Sequence, residues 1–345
     1  MTASVITAWE AYSPLGQGAP AHLAGLRAAA PHTAPRPRLD GFEVREVPGR
    51  TGTRAMDRAA GLAVATTRRL LERVGTPEAP FGAYLAEELG LVLGASDGVK
   101  SVSDFVRDTW TRDKPYDVDP SHIPRTLMNY AAGQCAIWHG IKGPNATICG
   151  GQATGLLALN YAHRLQRNGH AKATLWGAVD EYSDERAAVE SARAGGLDGV
   201  PSGEGCVMFM LELAGAVGDD RTPLAEVTAV EFGVWVDPGG VREALVRCLR
   251  KAFQRSATAP SEVYAVAPSS SRESFAAAER EAAAEVFGDV PVLTATVDAV
   301  GDTRAVSAAF QIVELLAQPG TAGRIGVATT VDGEGRVGCA LLRTC

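Results

Sequence analysis

Between Gly143 and Ala162 the chain reads Gly-Pro-Asn-Ala-Thr-Ile-Cys-Gly-Gly-Gln-Ala-Thr-Gly-Leu-Leu-Ala-Leu-Asn-Tyr-Ala, and no other stretch restricts the fold so tightly. Thr147, Ile148 and Cys149 are β-branched or small and apolar, the make-up of a short buried strand. Gly150 and Gly151 permit a sharp turn, which places Gln152 at an elbow where a helix begins. Ala153 to Ala162 is almost wholly small or apolar, so the helix is expected to be buried on every side. A strand, a tight elbow and a buried helix present a nucleophile in many enzymes, with amide N–H groups ready to hold an oxyanion. Yet Gln152 is an amide and cannot attack an acyl group. The plainer alternative is a buried helix with a polar residue in its first turn.

Around this stretch strands alternate with helices. Val5–Glu10 reads as a strand ending in the turn Ser13-Pro-Leu-Gly16, followed by a short helix near His22–Ala29 and a Pro-rich surface segment over Pro31–Pro37. Arg54–Val74 has helical apolar spacing, Leu89–Leu93 is a strand, and Ser101–Thr111 is a helix with Val102, Phe105, Val106 and Thr109 along one side. Asp113–Pro120 reads as a loop, Pro124–Trp138 as a helix, Ala173–Ala178 as a strand, and the run to Glu212 as another strand. The composition turns polar near Asp219-Asp220, dividing the chain into halves 1–215 and 216–345. The second half reads strand Glu226–Trp235, helix Val241–Gln254, strand Val263–Ala267, helix Glu273–Phe287, strand Val292–Thr296, helix Thr303–Ala317 and strands Ile325–Thr330 and Arg336–Arg343. This alternation predicts an α/β fold with mostly buried sheets.

Composition excludes several classes. A net charge of −7 without a basic block argues against nucleic acid. The sequence contains no run of about 18 apolar residues and no signal-peptide pattern, so a cytoplasmic protein without a membrane span is expected. Six cysteines lack CxxC spacing and read as reduced thiols, with no disulfide or metal site. All six histidines lie between His22 and His170, so no mechanism can draw a histidine from the second half.

Several of these segments resemble the β-ketoacyl synthases of the thiolase fold. Their active-site segment runs Gly-Pro, a strand, then Thr-Ala-Cys-Ser-Thr-Gly. Counted from Gly143-Pro144, the synthase cysteine falls on Gln152, and Thr154-Gly155 match the residues after it. Ser13-Pro-Leu-Gly16 resembles the synthase opening, Ala132–Pro144 the approach to the nucleophile strand, and Gly203-Glu204-Gly205 a further family pattern. The resemblance implies two similar βαβαβ-type halves forming a layered α-β-α-β-α sandwich with buried central helices.

The family's condensing enzymes need a thiolate to carry the acyl chain, and two histidines with a nearby lysine to polarise a malonyl thioester. At the first histidine position, after strand Val263–Ala267, stands Pro268, although Glu279 keeps the family's glutamate eleven residues on. The family's Lys-Ser-x-x-Gly-His appears as Val297-Asp-Ala-Val-Gly-Asp302, replacing lysine by Val297 and histidine by Asp302. The family's Gly-Phe-Gly-Gly loop becomes Gly333-Glu-Gly, with Glu334 for the gating phenylalanine.

Glutamine at the elbow resembles the chain length factor, the non-condensing partner subunit of bacterial type II polyketide synthases. The resemblance implies a heterodimer with a catalytic ketosynthase. That partner condenses malonyl units on an acyl carrier protein, and neither subunit needs a cofactor. It also implies pairing of Ala146, Thr147, Ile148 and Cys149 with the partner's equivalent strand, and a tunnel wall at Val102, Phe105, Val106 and Thr109. Other readings stand beside it: an independent acyl-transfer enzyme using Cys149 with His139 or His163 as base, a malonyl-decarboxylating enzyme of the loading type with glutamine at 152, and a structural homodimer. Cys149 itself reads as a buried strand thiol, His139 and His163 as helix-end residues, and Glu204 as the holder of a turn.

Overall fold

Alternating apolar segments from both halves of the chain assemble around one strand. β1 (Ser4–Ser13) is buried along its whole length, because it has a strand on either side and helices above and below. The structure, a computed structural model, describes residues 3–28, 38–44, 56–96, 98–192, 201–218, 221–269 and 273–345. The Pro-rich segment 31–37, Asp219-Asp220 and Ser270-Ser271 lie outside the described residues.

β2 (Gly16–Gln17) is a short return onto β1; β3 (Leu89–Ala95), β4 (Asn145–Ile148), β5 (Ala173–Asp180) and β6 (Gly205–Leu213) complete one half of the sheet. β7 (Ala225–Val234), β8 (Val263–Ala267), β9 (Ile325–Val331) and β10 (Arg336–Thr344) form the other. The order is β4-β3-β5-β6-β1-β7-β10-β9-β8. From β4 inward the pairings run parallel, parallel, antiparallel, antiparallel. From β8 inward they run parallel, antiparallel, antiparallel, and a lone parallel bridge from Val266 to Val292 occupies the place equivalent to β4. The halves therefore echo each other, and they join where Val5 and Ile6 of β1 pair with Glu226 and Ala225 of β7.

Ten helices flank these strands among the described residues. In the first half they are α1 (Ala19–Ala28), α2 (Arg58–Val74), α3 (Val99–Thr111), α4 (Tyr130–His139), α5 (Thr154–Arg167) and α6 (Asp184–Ala192). In the second they are α7 (Val241–Ser256), α8 (Glu273–Phe287), α9 (Ala295–Val300) and α10 (Ser307–Leu316). α5 and α10 fill the centre, where Leu156, Leu159, Phe310 and Ile312 are sealed from solvent. They cross at Gly155, whose missing Cβ would stand 3.0 Å from that of Ala308. α2 and α4 cover the outer face of the first half, and α7 and α8 that of the second. Five layers result, helix and sheet in alternation.

Four expectations need correction. β4 is an edge strand and only half-buried, not a buried one, because no strand lies beyond it. α5 is buried on most sides but exposes Tyr161. The helix expected over Pro124–Trp138 splits: a 3-10 turn covers Pro120–Thr126, Leu127 is extended, and α4 starts at Tyr130. Leu127, at φ −89° and ψ 130°, breaks the helical run there. Val292–Thr296 is not a strand, since α9 begins at Ala295 and the buried Glu314 carboxylate accepts the Thr296 N–H at 3.1 Å. α6 has no counterpart in the sequence reading.

Candidate functional site

The elbow is built from backbone freedom and side-chain bracing. Gly151 sits at φ +59°, a left-handed conformation that favours glycine, and a Cβ on Gly150 would approach Leu157 Cδ1 to 2.5 Å. Thr154 Oγ1 donates to Gly151 O at 2.8 Å and accepts from Gly150 N at 2.9 Å, tying the turn to the first residue of α5. Gln152 is thereby held at the helix entrance, as the sequence predicts.

The structure brings two of the four substituted reagent positions together. Gln152 Nε2 donates to Asp302 Oδ1 at 2.7 Å. The same oxygen accepts Arg304 N at 3.0 Å, and Asp302 is only 8% exposed. Its backbone is pinned too: its carbonyl accepts Gly203 N at 2.8 Å and Arg186 Nη2 at 2.9 Å. Pro268 is buried just past β8, and Val297 is half-buried on α9; neither has a polar group to offer a thioester. Beyond Pro268, Glu279 is buried and accepts from Ser269 N at 3.1 Å and Thr329 Oγ1 at 2.7 Å, a bracing role. The loop carrying Glu334 closes over the elbow, with Asp332 Oδ2 3.4 Å from where a Gly151 Cβ would lie.

Cys149 is exposed rather than buried, since it follows the last residue of an edge strand. The bases imagined for it bond elsewhere: His139 Nε2 meets Val64 O and His163 Nδ1 meets Ser4 Oγ, each at 3.0 Å. Burial is the main cause holding His163 below the usual imidazole range, with Arg167 adding to it. Glu204 is wholly buried, paired with Arg58 at 2.6 Å and accepting the Leu39 and Tyr182 amides at 2.7 and 3.1 Å. It ties three segments together.

Behind the elbow lies a charged network that the sequence reading missed. Buried Arg186 pairs with Asp180 at 3.1 Å and Glu190 at 2.9 Å, and Arg304 reaches Glu190 at 3.4 Å. Burial lifts Asp180 to about 6 despite Arg186, and lifts Glu181 to about 8 with help from Asp57 and Asp180. The available signal was Asp180-Glu181 directly after an apolar strand, with Arg186 in the next segment.

The expected tunnel residues lie on α3 in two environments. Val102 and Val106 are exposed, continuing to Trp110 at 83% exposure, while Phe105 and Thr109 are half-buried. Ile123, Leu127, Met128 and Ile137 are also exposed apolar side chains of this half. The interface candidates Ala146, Thr147 and Ile148 are half-buried on β4.

A family model for the β-ketoacyl synthase N-terminal domain matches residues 39–215, which hold the elbow, α3 and β4. The chain belongs to the β-ketoacyl synthase family. A member from Streptomyces virginiae described as a putative polyketide β-ketoacyl synthase 2 is 30% identical, over 80% of this chain and 70% of its own. The 3-oxoacyl-[acyl-carrier-protein] synthase 2 of Synechocystis is 28% identical over 51% of this chain and 45% of its own. The matched region thus spans about half the length of that synthase. Among solved structures, a chain of the ishigamide ketosynthase/chain length factor is 37% identical, with a TM-score of 0.87 over 99% of both chains. The architecture is the thiolase-like synthase fold. Among the described residues no helix is long and apolar enough to cross a membrane, and no cluster of His, Cys, Asp and Glu is placed to hold a metal.

Proposed function

We propose that this chain is a non-condensing chain length factor of a type II polyketide synthase. It pairs with a catalytic ketosynthase and lines the space in which a chain grows on an acyl carrier protein. The observation that carries this reading is the elbow itself. The position of the attacking thiol holds an amide whose N–H₂ is committed to Asp302, and Pro268 and Val297 cannot supply the missing donors. Likeness over 99% of both chains to a ketosynthase/chain length factor supports the same assignment. Steric influence is left as the contribution of such a subunit, and α3 is the element suited to exert it.

The test is to co-express the chain with the ketosynthase encoded beside it, purify by a tag on this chain alone, and supply malonyl-loaded carrier protein. A stoichiometric pair that makes a defined product, with labelled acyl groups on the partner only, supports the reading. Label on this chain at Cys149 instead establishes the acyl-transfer alternative.

A further inference from the structure

α3 turns Lys100, Ser101 and Asp104 toward a hollow of about 420 Å³, within the roughly 300–1,000 Å³ typical of small-molecule sites. Its other walls come from the start of α2 (Asp57, Arg58), the 120–126 turn (His122, Arg125) and Glu181 just past β5. A smaller void of about 40 Å³ shares Asp57, Lys100, Arg125 and Glu181 with it.

Two side-chain nitrogens of the 120–126 turn are left unsatisfied here. Arg125 Nε is sealed from solvent and makes no hydrogen bond among the described residues. His122 Nδ1 is in the same condition, 3.9 Å from Asp108. Glu181 is 7% exposed; its carboxyl group accepts the Ala59 amide at 3.2 Å and its carbonyl accepts Arg186 Nη1 at 3.1 Å. Two unpartnered side-chain nitrogens, Arg125 Nε and His122 Nδ1, thus face one hollow and point to an occupant. The remaining charges are already committed. Arg58 is taken by Glu204, Lys100 and Arg107 share Asp104, and Asp108 holds Arg112. Arg125 bonds the Tyr130 side chain and lies near Asp57, while its Nε is left for an occupant. Glu181 faces Asp57 on α2, its neighbour Asp180, Lys100 on α3, Arg125 on the 120–126 turn, and Arg186 and Arg304. Burial, with Asp57 and Asp180, keeps it protonated at neutral pH, where it donates rather than repels.

We propose that this hollow binds a small organic anion, whose carboxylate or phosphate-type head accepts hydrogen bonds from Arg125 and the Glu181 carboxyl while its body fills the remaining volume.

Sulfate and malonate serve as probes of the tetrahedral and planar headgroup, because neither changes charge near pH 8. Each is titrated against the protein, in the assembly in which it purifies, by calorimetry at ionic strength matched with sodium chloride. A headgroup alone is expected to bind with a dissociation constant of about 1 mM, and the tighter probe identifies the head. Arg125→Ala should weaken binding at least about tenfold, as expected for loss of a hydrogen bond to a charged group; Lys100→Ala, at a more exposed position, guards against a folding artefact. Wild-type affinity should fall as pH rises through about 8, and Glu181→Gln should abolish that fall. Saturable binding by neither probe overturns the proposal. So does unchanged affinity in Arg125→Ala, or an unchanged pH profile in Glu181→Gln.

Discussion

Gln152 is held from two sides, by the backbone turn beneath it and by Asp302 beyond it, so the proposed loss of synthase reagents at 152 and 302 has to be tested as a pair. A cysteine at 152 would leave Asp302 without its amide, and Pro268 would still offer nothing to a thioester. Gln152→Cys alone is therefore expected to give no condensation above background in a malonyl-carrier assay; appreciable product would show that the site was not lost as a unit. Gln152→Ala should lower stability by roughly 1–3 kcal/mol, the usual loss for a hydrogen bond to a charged group, read as an earlier denaturant midpoint. His22 provides a separate pH test. It is fully buried, stacked on Phe310 at 5.4 Å and bonded to Ser13 at 2.8 Å, and burial lowers it from 6.5 to about 4. The folded chain thus resists protonating it while the unfolded chain does not. Its contribution is complete above pH 6.5 and lost as pH falls toward 4, on the order of 3 kcal/mol. His22→Phe should flatten the melting temperature over that interval, and an unchanged slope would assign the acid sensitivity to other groups. Of these residues Gln152, Pro268, Val297 and Asp302 were legible through the resemblance to the synthase motifs, aligned on their flanking glycines and strands. It could not show that 152 and 302 touch, since they lie far apart in the chain and meet only when the halves pack.

α3 decides how the proposed tunnel can be tested. Phe105 is half-buried rather than core, so Phe105→Ala should cost about 1–2 kcal/mol, well under the roughly 3–5 kcal/mol of a core phenylalanine, and leave the complex intact. The space released equals four or five methylenes. Each extra buried methylene favours a longer chain by about 0.8 kcal/mol, so the product distribution should shift several-fold toward longer species by mass spectrometry. Val102→Trp, at an exposed position of the same helix, should shorten it. Unchanged lengths in both would move the limiting residues off α3. α3 itself was legible from its apolar spacing, as were β8 and α8, whose bounds match the residue pattern directly. Failures occur where a distant group decides. The Glu314 carboxylate recruits Thr296 into α9, and the place of β4 at the sheet's end leaves apolar residues half-exposed that a local pattern reads as buried. Masked apolar periodicity hid α6, whose buried residues include Arg186 and Glu190.

At the scale of the molecule the sheet has one end of special interest. Among the described residues β4 pairs with β3 alone, at a half-buried edge beside exposed Cys149, and an unsatisfied edge is a template for another chain. Pairing through Ala146, Thr147, Ile148 and Cys149 is therefore expected to be close to obligatory. Gel filtration of the chain by itself should show aggregate or a dimer; a stable monomer at micromolar concentration would sink the idea, and a durable homodimer would favour the structural reading. The opposite situation holds at the sheet's centre. β1, ten residues long, pairs early only at its end, with Gly16–Gln17, and gains its two long neighbours from residues 205–213 and 225–226. During synthesis it must wait, apolar and otherwise unpaired on both sides, while some two hundred residues emerge, which takes roughly 10–40 s at common elongation rates. The chain thus has a vulnerable infancy set by its topology, and the yield of folded protein should depend on chaperone supply and on slow translation ahead of β6.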